Sequence, residues 1–189
     1  MTDIKLNNST LATASGSTIS LTNGLTLKTS ASAATTSGTA HDIAIPSGVK
    51  YVTALVKDCS LVGTGIGSAG HVVLQLGNST SFITSNYYVS GGYLSGGVED
   101  SDAGFLIFNA TWGETSQMFI AEFYNNGSDN IWFGKGQGSY QGTSQGSSAY
   151  QYLPQMAGWV DTSSELSRIR ITTTEGRTFD QGSIQLLYS

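Results

Sequence analysis

Apolar residues in this 189-residue chain recur at every second position rather than at the three-and-four spacing by which a helix buries one face. Between Ser167 and Thr173, Ile169 and Ile171 alternate with Arg168 and Arg170, the pattern of a half-buried strand. Ile184, Leu186 and Tyr188 repeat it, with Gln185 between the first two. Long helices draw on periodic runs of Ala, Leu, Glu and Lys, and no window of twelve residues offers one. Strands and turns must supply the structure, so the fold class is all-β.

The order of the segments predicts an antiparallel β-sandwich or jelly roll. Residues 1–36 hold only sparse apolar pairs, such as Ile19 and Leu21 or Leu25 and Leu27, among Ser, Thr, Asn and Gly. Such a segment cannot close a core alone, and it reads as an extended N-terminal arm on a neighbouring subunit, or else as a first strand pair of the sandwich. Residues 37–189 form the domain. In the run Val49–Val62, Val52, Ala54 and Val56 share one face, while Tyr51, Leu55 and Cys59 share the other. A strand apolar on both faces is covered twice, which favours an oligomer with Tyr51 and Leu55 at a subunit contact. Further strands are expected at His71–Leu76, Gly104–Phe108, Met118–Tyr124 and Ile131–Phe133, with Asn125-Asn-Gly127 as a tight turn. The Gly-, Ser- and Gln-rich run Gly134–Ser148 reads as an exposed loop, and the last two strands as a closing antiparallel hairpin.

Composition narrows the function. A formal charge of −5 with eight scattered Lys and Arg argues against nucleic acid, which needs a basic stripe. No run of eighteen apolar residues is present for membrane insertion, and Met1-Thr-Asp-Ile-Lys5 lacks the form of a signal peptide. The expectation is synthesis in a cytoplasm without secretion. The single Cys59 reads as a small buried hydrophobe.

Three motif matches fail on context. Gly65-Ile-Gly-Ser-Ala-Gly70 fits the dinucleotide pattern but is followed by a strand, where the phosphate needs a helix N-terminus. Gly142-Thr-Ser-Gln-Gly146 fits a nucleophile elbow but lies in low-complexity sequence, and both histidines, His41 and His71, precede it. Ser47-Gly-Val-Lys50 needs a helical turn that Pro46 and Gly48 oppose. Neither these nor carboxylates such as Glu114 and Glu122 mark an enzyme, and no cofactor is expected. Glu99, Asp100 and Asp102 between glycines are calcium candidates, since loop carboxylates chelate through oxygen, although such clusters more commonly solvate a loop.

Aromatic rings in a sandwich are mostly core, but flat rings also match the apolar faces of sugars. Tyr87, Tyr88 and Tyr93 among glycines, and Tyr140, Tyr150 and Tyr152 near the Gly-rich run, are the glycan-contact candidates; Trp112, Trp132 and Trp159 are the other large rings weighed. Arg168 and Arg170 are concentrated cations in a low-charge chain, with Asp161, Glu165, Glu175 and Asp180 at hand to pair, and they are candidates for support of the fold or a subunit contact.

The run from Leu166 through Arg168-Ile-Arg-Ile171 to Thr174, then Gly176, then Thr178-Phe-Asp-Gln-Gly-Ser-Ile-Gln-Leu-Leu-Tyr188, resembles the C-terminal signature of small β-sandwich domains in tailed-bacteriophage virion proteins. These are the tail fibres, head fibres and capsid decoration proteins. Thr36-Ser-Gly-Thr39, Ile43, Ile45-Pro46, Val49-Lys50, Leu74-Gln-Leu-Gly77 and Tyr87 resemble the N-terminal half of the same family. The resemblance covers residues 36–95 and 158–189 and implies a non-enzymatic virion surface protein, homotrimeric and bound to major capsid or tail proteins. It is compatible with capsid decoration or with a tail fibre that touches host surface glycan. The alternative is a carbohydrate-binding, lectin-like module.

Overall fold

The computed structural model describes residues 2–189 apart from 7–8, 16–17, 22–25, 31, 63–70, 94–97, 110–115, 128 and 144–148. Among the described residues there are seventeen strands and no helix. The first four are β1 (Thr2–Leu6), β2 (Ser9–Ser15), β3 (Thr18–Leu21) and β4 (Thr26–Thr29). Next come β5 (Ala33–Ala34), β6 (Ala40–Ala44), β7 (Tyr51–Leu61), β8 (His71–Gly77), β9 (Tyr88–Tyr93), β10 (Val98–Ser101) and β11 (Phe105–Asn109). The chain continues with β12 (Ser116–Asn125), β13 (Ile131–Thr143), β14 (Ala149–Tyr152), β15 (Pro154–Asp161), β16 (Arg168–Thr173) and β17 (Phe179–Tyr188).

They make two antiparallel sheets. The smaller runs β11-β8-β16-β6, and the larger has the central order β17-β7-β12-β13-β15-β9-β10, with β5 on β17 and β14 on β13. Within the segment read as an arm or as a first strand pair of the sandwich, the described strands β1 to β4 pair in succession, and β4 joins the larger sheet where Lys28 and Thr29 pair with Tyr188 and Leu187.

This order is that of a jelly roll, whose eight strands, lettered B to I along the chain, form sheets B-I-D-G and C-H-E-F. Here B, I, D and G are β6, β16, β8 and β11, while C, E and F are β7, β9 and β10. The place of H is taken by three strands, β12, β13 and β15. Because the insertion adds a pair, strand direction is unchanged, and β15 meets β9 antiparallel as a single strand H would.

The core lies between the sheets. Val52, Ala54 and Val56 of β7 and Phe119, Ala121 and Phe123 of β12 face Leu74 and Leu76 of β8 and Ile169 and Ile171 of β16, all buried. Phe105 sits in the middle, edge-on to Tyr87 at 5.5 Å and to Phe123 at 4.9 Å between ring centres. Full burial of such a ring stabilises by roughly 1.5–3 kcal/mol.

Three expectations change. β16 and β17 are not a hairpin: they lie in different sheets, so Ile169 and Ile171 enter the core from one sheet and Ile184 and Leu186 from the other. The Gly-rich run is not a loop as far as Thr143, because it forms most of β13. Its glycines alternate with outward Lys135, Gln137 and Ser139, and they make room. A Cβ on Gly134 would lie 2.4 Å from the Phe105 ring, and one on Gly136 would lie 2.4 Å from the Phe119 ring. Residues 144–148 lie outside the described residues. Finally, Cys59 does not share a face with Tyr51 and Leu55. Asp58, with φ of 51°, is an extra residue in β7, since Phe119 pairs with Val56 but Gln117 with Cys59. This bulge turns Cys59 into the core, where burial pushes its thiol up to about 12.

Candidate binding surface

The outer face of the larger sheet follows from register. On β7, Val52, Ala54 and Val56 point inward, so Tyr51, Thr53 and Leu55 point outward. Strand pairing then extends each of these positions into a row across the sheet. Tyr51 pairs with Tyr124, Tyr124 with Phe133, Phe133 with Trp159 and Trp159 with Tyr88, a row of five aromatic residues on five adjacent strands. Tyr88 and Trp159 are stacked at 4.3 Å with 11° between ring planes, and Tyr124 and Phe133 at 5.5 Å with 19°. Tyr88 is 62% exposed and Trp159 36%.

The next row is polar: Thr53, Glu122, Lys135, Ala157, Ser90 and Asp100. The Tyr51 hydroxyl donates to Glu122 Oε1 at 2.6 Å, and Lys135 Nζ lies 3.2 Å from Glu122 Oε2. The Tyr51 hydrogen bond, and then Lys135, hold the Glu122 carboxyl below its ordinary range; the same contacts raise the Tyr51 phenol and the Lys135 ammonium. At the other end of the row the Ser90 hydroxyl donates to Asp100. Beyond this lies a third row of Leu55, Ile120, Gln137, Gln155, Gly92 and Val98.

Among the described residues, two grooves cross this face. One of about 800 Å³ runs between Ile120, Glu122 and Lys135 on one side and Ser90 and Val98 on the other, over Gln155 and Ala157. The second, about 540 Å³, is lined by Leu55, Met118, Ile120 and Leu153 with Lys57 and Gln137. One edge of the face is aromatic, its middle polar, and its other edge aliphatic.

The sequence candidates divide accordingly. Tyr88 belongs to the aromatic row, and Tyr51 and Leu55 stand half-buried on the same face. Tyr87 is corrected to a core residue: it is 3% exposed, and its hydroxyl accepts from the Leu76 amide and donates to the Ile83 carbonyl. The strand alternation that exposes Tyr88 turns its neighbour inward, and burial raises the Tyr87 phenol far above its usual value. The register sets Tyr140 opposite Tyr152 and Tyr150 opposite Gly142, and Tyr93 opposite Pro154, but these four side chains lie outside the described residues. Trp112, Glu114 and the Gly65–Gly70 motif also lie outside them.

Glu99 and Asp100 are on strand β10 and not in a loop, whereas Asp102 follows the strand. Among the described residues no three His, Cys, Asp or Glu side chains converge as a metal would require. Arg168 and Arg170 pair with none of the four expected carboxylates. Arg170 makes a bidentate pair with Asp42 at 2.7 and 3.0 Å, Arg168 Nε donates to the Asn78 carbonyl, and both guanidinium groups lie over the Phe82 ring. Asp42 was missed because its strand, β6, becomes a neighbour of β16 only through the jelly-roll order. Trp132, inward and buried, is core.

Fold and surface together define an all-β jelly-roll protein with one sheet face organised into chemically distinct rows. Neither a scan of protein-family models nor searches of curated proteins and of solved structures finds a match to this chain.

Proposed function

We propose that this chain is a non-enzymatic surface protein of a tailed-bacteriophage virion, a capsid decoration protein or tail fibre that works by self-association and binding. The observation that carries the binding mode is the aliphatic edge of the outer face. Met118, Ile120 and Leu153 are about half exposed there, around a groove whose wall includes the half-buried Leu55. Contiguous apolar side chains fixed on a rigid sheet are what a subunit or capsid contact buries. The virion assignment rests on the signature around Arg168–Tyr188 and on the suitability of a jelly roll for packing side by side on a shell.

In this reading the protein is a homotrimer, with the aliphatic edge at the subunit contact. Sedimentation velocity of the full chain tests the association: wild type sediments as a trimer, and Leu55→Glu or Met118→Glu shifts it to monomer. A wild type that stays monomeric at high concentration removes the self-association reading. Gold-labelled antibody on purified phage particles tests the placement, on the head for decoration or on the tail for a fibre. Particles that carry no label refute the virion assignment.

A further inference from the structure

We propose that the aromatic row and the polar row beside it form a binding site for a neutral oligosaccharide lying across the strands. A sugar chain has two kinds of surface, apolar C–H faces and hydroxyl edges. A site for it needs aromatic rings and fixed hydrogen-bonding groups side by side, along a line.

The register supplies the line. Five aromatic positions on five adjacent strands, Tyr51, Tyr124, Phe133, Trp159 and Tyr88, span about 19 Å at the usual interstrand spacing. The two stacked pairs fix each other's rings, which lowers the ordering cost of binding; the facing ring surfaces cover one another, so the ring surface open to a sugar is chiefly that of Tyr88, 62% exposed.

The adjacent row supplies the hydrogen-bonding groups. Glu122 and Lys135 are held together at 3.2 Å, and Ser90 donates to Asp100, so carboxylate oxygens and ammonium hydrogens stand in fixed places before a ligand arrives. Sugar hydroxyls both donate and accept, and can bridge such pairs without breaking them. The exposed amides of Gln137 and Gln155 continue the polar surface into the groove of about 800 Å³, a volume within the ~300–1,000 Å³ of small-molecule sites. The groove is low where Ala157, Ser90 and Gly92 carry small side chains or none.

Charge selects within the sugars. The polar row sets two carboxylates, Glu122 and Asp100, against one ammonium, Lys135, on a chain of net charge −5. That row repels sulfated or phosphorylated glycans and suits uncharged ones. It also disfavours an apolar protein partner, which would strip water from Glu122, Lys135 and Asp100 without replacing their hydrogen bonds.

The test is a calorimetric and tryptophan-fluorescence titration of the full chain with short neutral oligosaccharides of the gluco, galacto, manno and N-acetylglucosamine series, with a heparin fragment as the anionic comparator. At least one neutral series binds, and the heparin fragment does not. Tyr88→Ala, at an exposed position, lowers that affinity at least about tenfold, whereas Trp159→Phe retains most of it because a ring remains to stack. Met118→Glu, on the aliphatic edge, leaves it within about twofold even as it dissociates the trimer, so the two surfaces fail separately. The proposal is overturned if no neutral series binds, if the heparin fragment binds tighter than every neutral sugar, or if Tyr88→Ala has no effect on affinity. Loss of self-association in Tyr88→Ala without saccharide binding would instead assign this row to a second copy of the chain.

Discussion

Glu122 shows how one side chain joins fold and surface. It accepts from the Tyr51 hydroxyl and faces Lys135, and these contacts keep its carboxyl below the ordinary range. A carboxyl lowered in the folded state adds stability that is fully present above the unfolded value of about 4.3 and is lost as pH falls through the lower folded value. Thermal melts from pH ~5 to ~3 should therefore fall less steeply for Glu122→Gln than for wild type; parallel curves would show that the pair adds nothing, as many exposed pairs do. Arg170 is similar in kind but sits on the other sheet. Its bidentate contact with Asp42 and its position over Phe82 link β16 to β6 and to the segment after β8. That the arginines alternate with buried isoleucines was legible in the sequence. Their partners were not, because Asp42 and Phe82 are far away along the chain.

Among the elements, β13 is the least expected and the most instructive. Read by composition, Gly134-Lys-Gly-Gln-Gly-Ser139 looks like a tether. Read at period two, it is a strand whose inner face has no side chains, because the Phe105 and Phe119 rings occupy that space. Gly136→Ala would set its Cβ 2.4 Å from the Phe119 ring and 2.7 Å from the Ile120 carbonyl oxygen. Urea denaturation should show a loss of about 1–3 kcal/mol, while the outward neighbour Gln137→Ala stays within about 0.5 kcal/mol. Equal effects at the two positions would mean that the glycines are not spacers. The alternation was in the sequence all along; the missing signal was the identity of the rings that fill the gaps, which come from β11 and β12. The bulge at Asp58 was hidden for a related reason. Its partner Gly182, with φ of 108°, leaves no space for a Cβ beside the backbone of Asp58 and Cys59, and only the pairing of β7 with β17 reveals that approach.

For the whole molecule, local patterning showed the class and the positions of core strands such as β7, β8, β12 and β16, but not β9, β10 or β15, nor which sheet each strand joins. Alternation in 168–173 and 184–188 says that both segments are half-buried strands, and says equally little about whether they lie side by side or across a core. The rows of the outer face were out of reach for the same reason: Tyr51, Tyr124, Phe133, Trp159 and Tyr88 form no pattern along the chain and line up only once five strands are in register. The order of the smaller sheet has a further consequence, for the time course of folding. β6, β8, β11 and β16 each have sequence neighbours in the other sheet, so every ladder among them joins distant residues, as when Ala44 meets Arg168. Hairpins such as β12–β13 and β9–β10 can form early, but the smaller sheet must wait until β16 has been synthesised and the larger sheet gives it a surface to close on. Pulsed hydrogen exchange during refolding should protect Phe119 and Gly136 amides before those of Ile169 and Ile171, and the reverse order would refute this sequence of events. On the ribosome, the nascent chain would expose the apolar faces of β7 and β12 until its late strand arrives, making the rate of synthesis, and not only final stability, a determinant of yield.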